Sequence, residues 1–234
     1  MCWTDQGAQK TILRLKEDFN IRTFVETGTF KGVNALMQSY YFDEVLTCEV
    51  MPSYANESAY KLRNRVNARV YQKSSPEFLK QFVEDYKRAK RSDIVFIYLD
   101  AHFYDGKLPK EDRFVILKEL KALRDFPNCI ICVHDFDNKE LGHITYDGTD
   151  LDFNLLKNDL RNVNSNFKYY TNTKESCDII RIEDVKNGKV PYIFPDDETI
   201  SNLEYAWSKP EKTYRGILYC TPKEVNLDGL KIIR

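Results

Sequence analysis

The sequence predicts an α/β fold, a doubly wound, mostly parallel sheet with helices on both faces. Two observations carry this. Strand-like and helix-like segments alternate without interruption from residue 8 to about residue 170. Two of the strand-like segments, "DIVFIYLDA" and "NCIICVHDF", are apolar almost to their last residue, as strands covered on both faces must be. At 234 residues the chain suits one full domain and is marginal for two.

The elements follow in order. "AQKTILRLKEDF" places Ile12, Leu15 and Phe19 on one helical face. "RTFVETG" is a short strand, and the helix after it aligns Val33, Leu36, Met37 and Tyr40. "EVLTCEV" is the second strand, "SYANESAYKLRNRV" the second helix and "ARVYQKS" the third strand. "SPEFLKQFVEDYKR" opens on Ser-Pro, suited to a helix's first turn, and stripes Phe78, Phe82, Val83 and Tyr86. The fourth strand, "DIVFIYLDA", leads to a helix around "DRFVILKELKALRD", then to the fifth strand, "NCIICVHDF". A helix, "LDFNLLKNDLRNV", and a strand, "FKYYTNT", complete the alternation. Residues 8–173 thus form the core, 174–213 break the rhythm as an insertion or lid, and 214–234 hold a returning strand, "RGILYCTP", and a tail.

Composition narrows the class. A net charge of -1 gives no case for a nucleic-acid surface, although "YKRAKR" makes one basic helix end. No apolar run reaches the length of a membrane span, and "MCWTDQGAQK" lacks a secretion signal's layout. Cys129 and Cys132 have the spacing of a metal or redox pair, but in a strand they point to opposite faces, which favours a core role. The chain reads as soluble, reduced and cytoplasmic.

In an open α/β sheet, ligands bind at the carboxyl ends of the strands, where strand order reverses. Strands one to five end "VETG", "CEV", "QKSS", "LDAH" and "HDF", so four of the five end on a carboxylate. Gly28 permits a sharp turn, and Gly32 lets the following helix pack close to the strand. A dinucleotide fingerprint needs a middle glycine where this chain has Phe30, and Glu26 would repel a pyrophosphate. An acid there attracts an ammonium or hydroxyl instead, and Glu49 sits near the spacing that reaches ribose hydroxyls. Ribose plus a cationic amino-acid moiety, without phosphate, describes S-adenosylmethionine (SAM).

On "VETGTFKG", "CEV", "SSPEFL" and "LDAH", residues 8 to 170 resemble the class I SAM-dependent methyltransferases, with a seven-stranded Rossmann-like sheet. The likeness is nearest in style to small metal-dependent O-methyltransferases and to the macrocin O-methyltransferase and cephalosporin-hydroxylase groups. It implies that Glu26, Thr27, Gly28, Thr29 and Gly32 cradle the methionine part, that Glu49 holds the ribose, and that Asp100 closes the cofactor site. Ser74 and Ser75 would flank the adenine, or equally would cap the helix that Pro76 begins. In that family's strand order strands four and five are neighbours, roughly 5 Å apart, so Asp100 and Asp135 would repel unless one were protonated or a cation lay between them. Mg²⁺ suits such a pair and would lower the pKa of an acceptor hydroxyl.

The pattern departs from that group at "HDFDN", where Phe136 stands in place of a second ligand. Asp137 or Asn138 substitutes only if the loop bulges, and His134 is another candidate ligand. A regular strand turns His134 away from Asp135, however, which favours a core histidine, and His143 reads as exposed. His102, two residues past Asp100, is either a general base or a packing residue. Asp100 and His102 are therefore the candidate catalytic pair. The expected activity is O-methylation of a small-molecule or glycan hydroxyl, by a chain that is not membrane-bound and could form a homodimer. Tyr104, Asp105 and Lys107, the loop "NKELGHITYDGTD" (138–150) and "VPYIFPDDETISNLEYAWSKP" (190–210) would build the acceptor pocket. Rival readings are a methyltransferase for nucleic acid or protein and a non-catalytic nucleoside- or partner-binding module on the same fold.

Overall fold

Ten strands and six helices are described, and their bounds follow the hydrophobic pattern closely. The computed structural model describes residues 5–102, 114–146, 148–177, 187 and 214–233. In chain order these are α1 (Gln6–Asp18), β1 (Thr23–Thr27), α2 (Val33–Gln38), β2 (Glu44–Glu49), α3 (Pro52–Leu62), β3 (Ala68–Gln72), α4 (Ser75–Arg88) and β4 (Val95–Leu99). Then come α5 (Val115–Ala122), β5 (Cys129–His134), β6 (Thr145–Tyr146), β7 (Thr149–Asp150), α6 (Phe153–Val163), β8 (Lys168–Thr171), β9 (Ile217–Thr221) and β10 (Lys231–Ile233). Asp5 starts α1 by accepting a hydrogen bond from the Gly7 amide at 2.9 Å. α4 runs over the residues its stripe predicted, with Pro76 in its first turn.

The main sheet has the order β10-β8-β9-β5-β4-β1-β2-β3. β3, β2, β1, β4 and β5 are mutually parallel. β9 runs antiparallel between β5 and β8, so β8 points the same way as β5. The expected sheet of seven gains an eighth strand, β10, antiparallel to β8 with Ile232 opposite Tyr170. Its three residues are too few and too exposed to carry a hydrophobic signal. Strand order reverses at β1, which puts the crevice between the ends of β1 and β4.

Alternate strand residues serve opposite faces. Val25, Ile97, Leu99, Cys129, Ile131 and Val133 pack with Phe78, Phe82, Ile116 and Leu120 of α4 and α5. Phe24, Phe96, Tyr98, Ile130 and Cys132 pack with Ile12, Leu15 and Leu36 of α1 and α2. Cys129 and Cys132 therefore lie in different core layers, and both are free thiols. Each large side chain buried this fully contributes about 1.5–3 kcal/mol relative to exposure. No helix among the described residues is long and apolar enough to cross a membrane. Tyr104, Asp105 and Lys107 lie outside the described residues, as does the insertion expected over 174–213 apart from residues 174–177 and Asn187.

Candidate functional site

The turn after β1 is held by contacts that only certain residues allow. Gly28 has φ of +75°, and a Cβ there would fall 2.5 Å from the Asp100 carbonyl oxygen. The β1 and β4 turns therefore touch through backbone, and the Asp100 amide donates to Thr27 Oγ1 at 3.3 Å. At Gly32, also left-handed, the neighbour that a Cβ would crowd is Ser58 of α3, at 3.0 Å, rather than the strand. Phe30 takes the left-handed conformation too, with φ of 51°, at a position where glycine would be unstrained. Three contacts hold it there. Its amide donates to Glu49 Oε2 at 2.9 Å, its carbonyl accepts from Ser58 Oγ at 2.6 Å, and its ring packs 4.5 Å from that of Tyr54.

Glu26 lies beneath this turn, 2 % exposed. Its Oε2 accepts from Thr47 Oγ1 at 2.6 Å and its Oε1 from Asn34 Nδ2 at 2.7 Å. Burial pushes the Glu26 carboxyl up to about 7, against the lowering effect of these two hydrogen bonds. Thr47 Oγ1 also touches Thr29 Oγ1, which donates to the Cys48 carbonyl at 2.9 Å. With Glu26 protonated the bond to Thr47 reverses, and the line runs carboxyl to Thr47, Thr47 to Thr29, Thr29 to the carbonyl. On its other side, Asn34 Oδ1 accepts from Gln38 Nε2 at 3.2 Å, and Gln38 Nε2 also donates to Gln9 Oε1 of α1 at 2.9 Å. Asn34 and Thr47 were not singled out in the sequence, because a polar residue in a strand or on a short helix carries no signature of its partner.

Glu49 is also buried, at 8 % exposure, and clamps two turns together. Its Oε2 holds the Phe30 amide, and its Oε1 holds the Met51 amide at 2.9 Å. Each oxygen keeps a second lone pair. Ser74 is the N-cap residue of α4 but makes no side-chain cap hydrogen bond, so its expected capping role is not realised. Ser75 is buried in the first turn beside Glu119 of α5, a wholly buried carboxyl that reading the chain did not single out. Burial raises Glu119 above the ordinary carboxylate range; the Ser75 and Thr27 hydroxyls are its polar neighbours, neither at good bonding geometry.

At the ends of β4 and β5 the structure corrects the sequence. Asp135 is left-handed, with φ of 60°, and this kink keeps His134 on the same side as Asp135. His134 is thus not a core histidine turned away: its Nδ1 lies 3.0 Å from Asp100 Oδ1 and 3.2 Å from Asp135 Oδ1. Burial alone would lower its pKa, but the two carboxylates outweigh burial and raise it. Burial would raise Asp135; His134 and Arg215 outweigh that and hold it well below the usual range. Arg215 Nε sits 2.5 Å from Asp135 Oδ1, a contact across eighty positions of sequence. His102 places Nε2 3.0 Å from the His134 carbonyl oxygen.

Asp137 and Asn138 go elsewhere. Asp137 is buried against Lys139, with His143 Nδ1 at 3.5 Å. His143, expected to be exposed, is partly buried between Asp137 and Asp150, its Nε2 3.3 Å from the latter. Asn138 Nδ2 donates to the Asn172 carbonyl at 2.8 Å and braces the end of β8.

No family model matches the chain, and no curated protein matches it. Solved structures show distant likeness. The chain is 12% identical to the plantazolicin methyltransferase BamL, in complex with a triazolic desmethylPZN analog and SAH, with 93% of this chain and 84% of that one covered at a TM-score of 0.46. It is 12% identical to the cyclase SpnF, over 94% of this chain and 83% of that one, at 0.48. Against the 23S rRNA methyltransferase ErmE it is 15% identical over 54% of its own length, spanning 46% of that protein, at a TM-score of 0.34. Likeness at this distance carries over neither substrate nor chemistry.

Proposed function

We propose that the chain is a SAM-dependent methyltransferase acting on a hydroxyl of a small molecule or sugar. The main support is the pair of buried carboxylates, Glu26 and Glu49, on adjacent strand ends around the Gly28 turn, in the crevice where strand order reverses. That crevice offers acids where a dinucleotide's pyrophosphate would need donors.

SAM supplies a methyl group on a sulfonium. Glu26, once ionised, pairs with the ammonium of the methionine part, and the spare lone pairs of Glu49 accept from ribose hydroxyls. The turn from Thr27 to Gly32, tied to β4 through the Asp100 amide, fixes where these groups sit. Ser74 and Ser75 at the start of α4 flank the base. His102 is the base for the acceptor. A carbonyl only accepts, so its Nε2, on the His134 carbonyl, carries the hydrogen, which leaves the lone pair on Nδ1. His102 Nδ1 would take the acceptor hydroxyl's proton, and bound SAM would supply the electrophilic methyl. Asp100, beside this path, orients the acceptor.

Asp100, His134 and Asp135 bring donor atoms within 4.8 Å of one another, close enough for one ion. Oδ1 of Asp135 is already held by Arg215, and His134 Nδ1 lies 3.2 Å from it. As arranged, the set does not fit Mg²⁺, which demands near-octahedral oxygen donors.

Calorimetric titration with SAM and S-adenosylhomocysteine tests the reading. Both should bind, and Glu26→Ala should weaken both at least about tenfold, or 1.4 kcal/mol. Transfer of labelled methyl should then reach polyhydroxylated small molecules rather than RNA or protein. Absence of binding by either ligand sinks the methyltransferase reading, and binding without transfer to any acceptor class leaves a nucleoside-binding module.

A further inference from the structure

We propose that Arg215 is the built-in cation of this site, pairing with Asp135 beside His134, whose Nδ1 lies near both strand-end carboxylates, and so excluding a divalent ion. A guanidinium carries its charge at every working pH. Its Nε is 2.5 Å from Asp135 Oδ1, and the two side chains are only 22% and 15% exposed. The same oxygen lies 3.2 Å from His134 Nδ1, which is 3.0 Å from Asp100 Oδ1. An ion taking these two oxygens would have to displace both nitrogens and then lie against the guanidinium it displaced.

The backbone keeps Arg215 in place. The Gly142 amide donates to the Tyr214 carbonyl at 3.0 Å, and the Gly216 amide to the Gly142 carbonyl at 2.8 Å. Asn172 Nδ2 donates to the Arg215 carbonyl at 2.9 Å. A Cβ at Gly216 would fall 1.9 Å from the Phe136 carbonyl oxygen, so glycine is what lets the entry to β9 cross the exit of β5 this closely. That crossing brings residue 215 to residue 135. The site is thus a strand-end acid pair whose counter-charge comes from the chain itself. The catalytic consequence, turnover that needs no metal, rests on the methyltransferase reading; exclusion of the ion does not.

Mn²⁺ is the probe, its free concentration read by electron paramagnetic resonance. Wild type and Asp135→Asn should give superimposable isotherms, since any weak uptake at Asp137, His143 and Asp150 is common to both. Arg215→Gln should gain one site at least tenfold tighter than any in wild type, and Arg215→Gln/Asp135→Asn should lose it again. Near-ultraviolet circular dichroism checks that the variants are native, and Arg215→Lys, which keeps the charge, should behave as wild type. A wild-type Mn²⁺ site abolished by Asp135→Asn overturns the proposal, and so does a native Arg215→Gln that gains no site. If S-adenosylhomocysteine binds but methyl transfer is lost in EDTA and restored by Mg²⁺, the proposal fails while the methyltransferase reading stands. If neither SAM nor S-adenosylhomocysteine binds, the reading fails, and the Mn²⁺ isotherms still decide the proposal.

Discussion

Replacing Glu26 by glutamine should stabilise the protein, and should do so only at neutral and alkaline pH. In the fold the Glu26 carboxyl is pushed up to about 7 by burial, against an ordinary value of 4.5. Below 4.5 both folded and unfolded chains carry the proton, and there is no penalty. Between 4.5 and 7 the unfolded chain has released it while the folded chain retains it, so stability falls as pH rises; above 7 the full penalty is present and constant. At 1.36 kcal/mol per unit, the full effect is about 3 kcal/mol, most of which develops between pH 5 and pH 8. A glutamine reproduces the protonated acid: its carbonyl accepts from Asn34 and its amide donates to Thr47. Glu26→Gln should therefore match wild type within about 1 kcal/mol at pH 5 and exceed it by about 2–3 kcal/mol at pH 8. For a chain of this length that is a rise in Tm of about 5–10 °C at pH 8. Urea unfolding at the two pH values measures it directly. Equal destabilisation at both would show that Glu26 is ionised throughout and that its partners are tuned to a carboxylate. The same substitution should weaken SAM binding, because the ammonium partner is gone.

Two further substitutions probe the frame around the site. Gly28→Ala puts a methyl 2.5 Å from the Asp100 carbonyl oxygen at a φ of +75°, and should cost at least about 3 kcal/mol in urea unfolding while abolishing SAM binding. Asn172→Ala removes the acceptor of the Ile217 amide at 2.8 Å and the donor to the Arg215 carbonyl, and should cost about 2–4 kcal/mol. It should also speed hydrogen exchange at Ile217 selectively; exchange unchanged there would mean that Asn172 does not anchor the strand.

Much of the fold was legible because burial on both faces leaves a mark that local sequence carries. "VFIYL" and "CIICVH" could hardly be anything but central strands, and both are wholly buried. The short elements were not legible. β6 and β7 have two residues each, and β10 lies on an edge with little burial, so no period could build up. In the site, the strand-end acids could be named from position alone. Their partners could not, because Arg215 reaches Asp135 through a glycine crossing that no local pattern records. The prediction for His134 failed for one backbone reason. Alternation holds only while the strand is regular, and Asp135 leaves the extended region.

Gln9, Gln38 and Asn34 form an unbroken relay of amides from the first helix to the Glu26 carboxyl on the floor of the crevice. An amide can turn over, exchanging its donor end for its acceptor end, and a turn at one member obliges the next to follow. The orientation of Gln9, in the first helix, is thereby registered at Glu26. A lesion in α1 far from any ligand, such as Gln9→Leu, would be felt as a change in the acidity of the floor rather than as a hole in the core.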